Sequence, residues 1–128
     1  MKFLVDTQLL VWAAIGSAKL PQEAARLMGD GANDLHFSIA SLWEITIKRG
    51  LGRKDFRVDP VRLRHGLLEN GYAELTITAA HALGIEELPR LHKDPFDRLL
   101  LSQARTEGFT LLTTDAALAN YPGPIRHV

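Results

Sequence analysis

A chain of 128 residues with 46% hydrophobic content is the size of one domain, spanning 1–128, and can bury a core without staples. It has no cysteine, which excludes disulfides, thiolate metal sites and cysteine nucleophiles and suits a reducing cytoplasm, so any metal must sit on oxygen or imidazole ligands. The 15 basic and 15 acidic residues cancel, so the total charge does not point to a nucleic acid, and no apolar run approaches the roughly 18 residues of a membrane span.

Phe3, Leu4 and Val5 form a short apolar run stopped by Asp6, which reads as a buried strand and is too short for a signal peptide. Leu9, Leu10, Trp12 and Ala13 follow at helical spacing. Pro21 opens a second helix that continues through Ala24, Ala25, Leu27 and Met28 to Gly29 or Gly31. Residues 35–38 read as a second strand, after which Ser41 opens a helix that stops at Gly50. Residues 50–57 read as a basic loop.

Asp59 and Pro60 are a cap followed by a first-turn proline, predicting a helix over 61–69 that ends at the Asn70-Gly71 turn. Residues 73–76 suit a third strand, and Thr78 caps a helix through about Glu87. A loop over 88–93 leads to Asp94 and Pro95, which start a helix running to about Glu107 and ended by Gly108. Residues 110–113 are a strand, a short helix follows Asp115, and Pro122 and Pro124 keep the tail extended. Trp12 and Trp43 are read as core residues. Strands alternating with helices predict an α/β fold, a three-layer α/β/α domain around a central parallel sheet of four to five strands. In such sheets, sites form at the carboxyl ends of the strands.

Taken singly, the acids have ordinary explanations. Asp6, Asp94 and Asp115 each suit a helix N-cap, Glu44 suits a capping box with Ser41 or an ion pair with Lys48 one turn on, and Asp97 suits a first helical turn. Taken together, Asp6 and Asp115 mark strand ends while Glu44 and Asp97 lie near helix starts, positions that gather on one edge of a covered parallel sheet. Carboxylates that close repel one another and need a cation, and hard oxygen ligands select Mg²⁺ or Mn²⁺.

Thr7, Thr113 and Thr114 are placed to orient carboxylates or water, or to make local strand-end hydrogen bonds. His92 reads as a surface histidine. The five histidines lack HxxxH spacing, Ser38 and Ser41 lack a GxSxG context, and no glycine-rich phosphate loop is present. Lys48, Arg49, Arg53, Lys54 and Arg57, then Arg62 and Arg64, form a local basic cluster that reads as a solvated face or as an offset for phosphate charge.

Four segments carry a resemblance. Leu4-Val5-Asp6-Thr7 with Leu10-Val11-Trp12 resembles the opening of VapC-type PIN domains. Ser38-Ile39-Ala40-Ser41-Leu42-Trp43-Glu44-Ile45 with Lys48 resembles their second motif. His92-Lys93-Asp94-Pro95-Phe96-Asp97-Arg98-Leu99-Leu100, followed by Gln103-Ala104, resembles the third. Thr113-Thr114-Asp115 with Leu118 and Tyr121 resembles the fourth.

The resemblance implies a metal-dependent endoribonuclease, the toxin of a VapBC toxin–antitoxin pair. Its acidic quartet falls on Asp6, Glu44, Asp97 and Asp115, with Thr113 as the accompanying hydroxyl, and one or two Mg²⁺ or Mn²⁺ ions as cofactor. Asp94 and His92 match a subgroup feature without an assigned role, and Gln8 stands where many relatives have histidine. The implied partners are RNA, contacted through Lys48, Arg49, Arg53 and Lys54, a VapB-type antitoxin covering the groove, and a second copy in a homodimer. Rival readings are a housekeeping PIN nuclease in RNA maturation, a non-catalytic metal-binding domain, and a phosphotransfer domain. Asp6-Thr7-Gln8 speaks against a phosphatase, which places a second acid two residues after the first.

Overall fold

The computed structural model describes residues 1–90 and 94–128. Among the described residues five strands, β1 (Lys2–Val5), β2 (Asp34–Ser38), β3 (Ala73–Leu75), β4 (Thr110–Thr113) and β5 (Ile125–His127), form one sheet in the order β3-β2-β1-β4-β5. Every neighbouring pair is parallel. The sequence leaves β5 as an extended tail. Ile125-Arg126-His127 has no apolar run to announce a strand, and only pairing with β4 at the sheet edge makes it one.

Helices α1 (Thr7–Ile15), α2 (Gln22–Gly29), α3 (Ile39–Gly50), α4 (Pro60–Glu69), α5 (Ala79–Gly84), α6 (Pro95–Glu107) and α7 (Ala116–Ala119) alternate with the strands. The start of α3 corrects the sequence reading. Ser38, not Ser41, is its N-cap, with Ser38 Oγ accepting from the Ala40 N–H at 3.0 Å. Ser41 lies within the helix, where its Oγ accepts from Thr7 Oγ1 at 2.8 Å, so the Ser41–Glu44 capping box does not form. The cap and stop of α6 follow the sequence: Asp94 Oδ1 accepts from the Phe96 and Asp97 amides, and Gly108 takes the left-handed conformation at φ 75°.

Residues alternate between the two faces of the sheet, as parallel strands covered on both sides require. Phe3, Val5 and Leu112 pack on one face with Leu9, Leu10 and Ala24 from α1 and α2 and Leu63 and Leu67 from α4. Leu4 and Leu111 pack on the other with Leu100, Leu101 and Ala104 from α6 and Leu118 from α7. These layers make the α/β/α sandwich. Trp12 is half-buried against the first cluster. Trp43, expected in the core, is 53% exposed on the outward side of α3 and meets the Phe96 ring edge-on at 5.0 Å. Among the described residues, no helix is long and apolar enough to cross a membrane.

Candidate active site

In strand order, the chain runs outward from β1 through β2 to β3 on one side and from β4 to β5 on the other. The gap between β1 and β4 is therefore the topological switch point, where parallel sheets open a crevice at the strands' carboxyl ends. Asp6 directly follows β1, Thr113 ends β4 and Asp115 lies two residues beyond. Glu44 arrives on α3, the helix after β2, and Asp97 sits in the first turn of α6. These four carboxylates, from four remote stretches of sequence, line one cleft of ≈ 310 Å³ with Asp94.

Asp6 holds the N-cap position of α1 but makes no capping bond. Its Oδ2 instead accepts from Thr113 Oγ1 at 2.6 Å, and the same Oγ1 accepts from the Asp115 N–H at 3.0 Å. Thr113 thus ties two carboxylate-bearing residues together through one buried hydroxyl. Asp115 also caps α7, with Oδ1 accepting from the Ala117 N–H at 2.8 Å. Glu44 is buried and receives the Lys48 ammonium on Oε2 at 2.5 Å. Its Oε1 is buried with no hydrogen-bond partner among the described residues.

Burial pushes the Asp6 carboxyl up to about 6 from 3.8, with the Glu44 and Asp115 charges adding to the rise. The Thr113 hydroxyl and the Thr7 N–H oppose it. A buried carboxylate crowded by others accommodates a cation better than a proton-free vacuum of charge, and an all-oxygen donor set suits a hard divalent ion. The orphaned Glu44 oxygen is a ready donor for one. Among the described residues, no three acidic or histidine side chains already converge as an ion site.

The sequence matches the PIN domain family over residues 3–124. The chain belongs to the PIN domain family. This PIN domain is similar in fold to VapBC2 from Rickettsia felis bound to a promoter DNA fragment, with TM-score 0.70 and 18% identity over 99% of this chain and 98% of that one. It is similar to VapC20 from Mycobacterium tuberculosis, a sarcin–ricin loop cleaving toxin, with TM-score 0.64 and 19% identity over 94% and 96% of the two chains. A toxin–antitoxin complex from Klebsiella pneumoniae gives TM-score 0.63 and 18% identity over 98% of each chain. No curated protein matches the sequence.

The basic cluster of the PIN domain divides on folding. Lys48 and Arg53 line the cleft. Lys48 lies over the Phe56 ring, 4.7 Å from its centroid, and 5.9 Å from that of Phe96. Arg53 forks onto Asp55 at 3.1 and 3.2 Å. Arg49 lies 3.9 Å from Asp59, and Lys54 is exposed on the 3-10 turn Lys54–Phe56. His92 lies outside the described residues. Gln8 lines the cleft with Nε2 buried and unpartnered among the described residues.

Sequence reasoning missed Asp55 and Phe56 as cleft residues. The 3-10 turn folds them over the α3 terminus, and no periodicity in 50–57 announces that turn. It also missed the buried bond from Ser38 Oγ to Gln103 Oε1, 2.6 Å long, which fastens the start of α3 to α6 behind the cleft.

Proposed function

We propose that this PIN domain, acting as one unit over 1–128, is a Mg²⁺- or Mn²⁺-dependent endoribonuclease and the toxin of a cytoplasmic VapBC-type toxin–antitoxin pair. The observation that carries this is the meeting of Asp6, Glu44, Asp97 and Asp115 in one cleft at the switch point of the sheet. Those four carboxylates would hold the ion. When bound, the ion lowers the pKa of water toward neutrality and offsets charge at phosphorus.

Thr113 keeps the Asp6 carboxylate pointed into the cleft and fixes the backbone from which Asp115 projects. Asp94 sets the first turn of α6 and with it Asp97. Water oxygen adds to phosphorus, the bond to the 3′ oxygen breaks, and that oxygen takes up a proton, leaving a 5′-phosphate and a 3′-hydroxyl. Single-stranded or looped RNA suits such a cleft because its backbone can be threaded in. Arg53 at the rim, with Arg49 and Lys54 beyond it, offsets phosphate charge.

A VapB-type antitoxin is the expected silencing partner, supported by the likeness in fold to chains solved in VapBC complexes. A second copy is expected on the exposed apolar stripe of Trp43, Ile47 and Leu51 along α3. The test is RNA cleavage by purified protein with and without EDTA, beside Asp6→Asn and Asp97→Asn. Both variants are expected to fold and to lose metal-dependent cleavage. Full activity in either variant, or undiminished cleavage in excess EDTA, rejects the proposal.

A further inference from the structure

Glu44 and Lys48 face each other one helical turn apart on α3, with the ammonium 2.5 Å from Oε2. The Glu44 side chain is 5% exposed and that of Lys48 19%. The ammonium is walled by the faces of Phe56 and, farther off, Phe96. Such a cation, flanked by aromatic faces and bonded to a carboxylate, is held in place by two effects at once. Were it to swing out to solvent, Glu44 would be left with both carboxylate oxygens buried, since Oε1 already has no partner among the described residues.

Hydrolytic centres that use two metal ions set them about 3.5–4 Å apart, with carboxylates between them. A hard ion on Glu44 Oε2 sits about 2.0–2.1 Å from it. The Lys48 nitrogen already lies 2.5 Å from that oxygen. The other oxygen of the same carboxylate is unclaimed.

We propose that Lys48 takes the place of a second cation in the cleft, so that the carboxylates accept a single divalent ion and Glu44 bridges the ammonium and that ion. This rests on the reading of the cleft as a metal-dependent nuclease centre. It also moves Lys48 from contacting RNA phosphates to neutralising the centre from within, and leaves Arg53 as the cationic side chain at the cleft rim. Lys48 is in this sense a positioning residue, acting through Glu44.

Counting ions tests it directly. Protein stripped with EDTA and dialysed is titrated with Mn²⁺ alone, with bound ion measured by calorimetry and free ion by electron paramagnetic resonance. The wild type is expected to bind one Mn²⁺ per chain, Lys48→Arg one, and Lys48→Met two. Two ions in the wild type overturn the inference whether or not any variant folds, and leave the metal-dependent nuclease standing. A folded Lys48→Met protein that still binds one ion also overturns it. A wild type that binds no Mn²⁺ while still cleaving RNA in EDTA overturns the nuclease mechanism and this inference together.

Discussion

Thr113 Oγ1 donates a 2.6 Å hydrogen bond to Asp6 Oδ2, joining residues 107 positions apart in sequence. The two sit at the carboxyl ends of adjacent parallel strands, so the bond closes the switch point from beneath. Thr113→Val keeps the shape of the side chain and removes the hydroxyl. It leaves a buried carboxylate without its donor and the Asp115 N–H without its acceptor, at a cost of about 1–3 kcal/mol. Chemical denaturation should show that loss, with RNA cleavage reduced and Thr113→Ser recovering both.

Asp6 sets a pH dependence. Its carboxyl is raised to about 6 in the fold from 3.8, so the folded state binds this proton more tightly than the unfolded chain. The associated stability is present in full below pH 3.8 and is lost as pH rises through about 6. That gap is worth up to roughly 3 kcal/mol. Asp6→Asn, which keeps an acceptor for Thr113, should be more stable than the wild type at pH 7.5 by about 1–3 kcal/mol. The two proteins should converge toward pH 4. Equal urea midpoints at pH 7.5 would remove this account of the residue.

The same crowding predicts that a divalent ion stabilises the fold. At one hundred times its Kd, Mg²⁺ should add about 2.7 kcal/mol to unfolding, reversed by EDTA. In Asp6→Asn the gain should shrink markedly. Thermal melts with and without MgCl₂ at constant ionic strength separate this from general salt screening.

Ser38→Ala should weaken the fold without touching the acids. The substitution removes the N-cap of α3, worth about 0.5–2 kcal/mol, and orphans the Gln103 amide oxygen in the interior. Urea titration is expected to show a loss of about 2–3 kcal/mol. At temperatures where the variant is folded, cleavage per molecule should stay within a few-fold of the wild type.

Trp43→Glu tests the α3 surface. A residue 53% exposed contributes little to the core, so stability should change by about 0.5 kcal/mol or less. If a second copy covers this stripe, sedimentation velocity will show the wild-type dimer replaced by monomer. An unchanged dimer places the contact elsewhere.

The layered architecture was legible because β1 and β4 are short apolar runs, as strands covered on both faces require, and because Asp59-Pro60 and Asp94-Pro95 mark helix starts by their backbone chemistry. The start of α3 was misread because Ser38 and Ser41 are chemically alike, and only the strand register decides which one lies at the helix mouth. Trp43 was misplaced because a bulky aromatic on an amphipathic helix is ordinarily core, whereas here the neighbouring Glu44 faces the cleft and Trp43 lies exposed on another side of α3. The carboxylates could be named from the sequence, but their partners could not. Which acid receives Thr113 and which receives Lys48 depends on strand adjacency and on the turn around Phe56.

Strand order also bears on synthesis. β1 is made well before one of its two neighbours, β4, which begins only at Thr110. A prematurely terminated chain ending before that point would carry Asp6 beside an open apolar edge, without Thr113 or Asp115 to complete the cleft. Such fragments would stick to other strands before they could do chemistry, so a chain cut short before β4 yields inert, clearable material and the competent centre arises only once β4 and the residues just after it have been made.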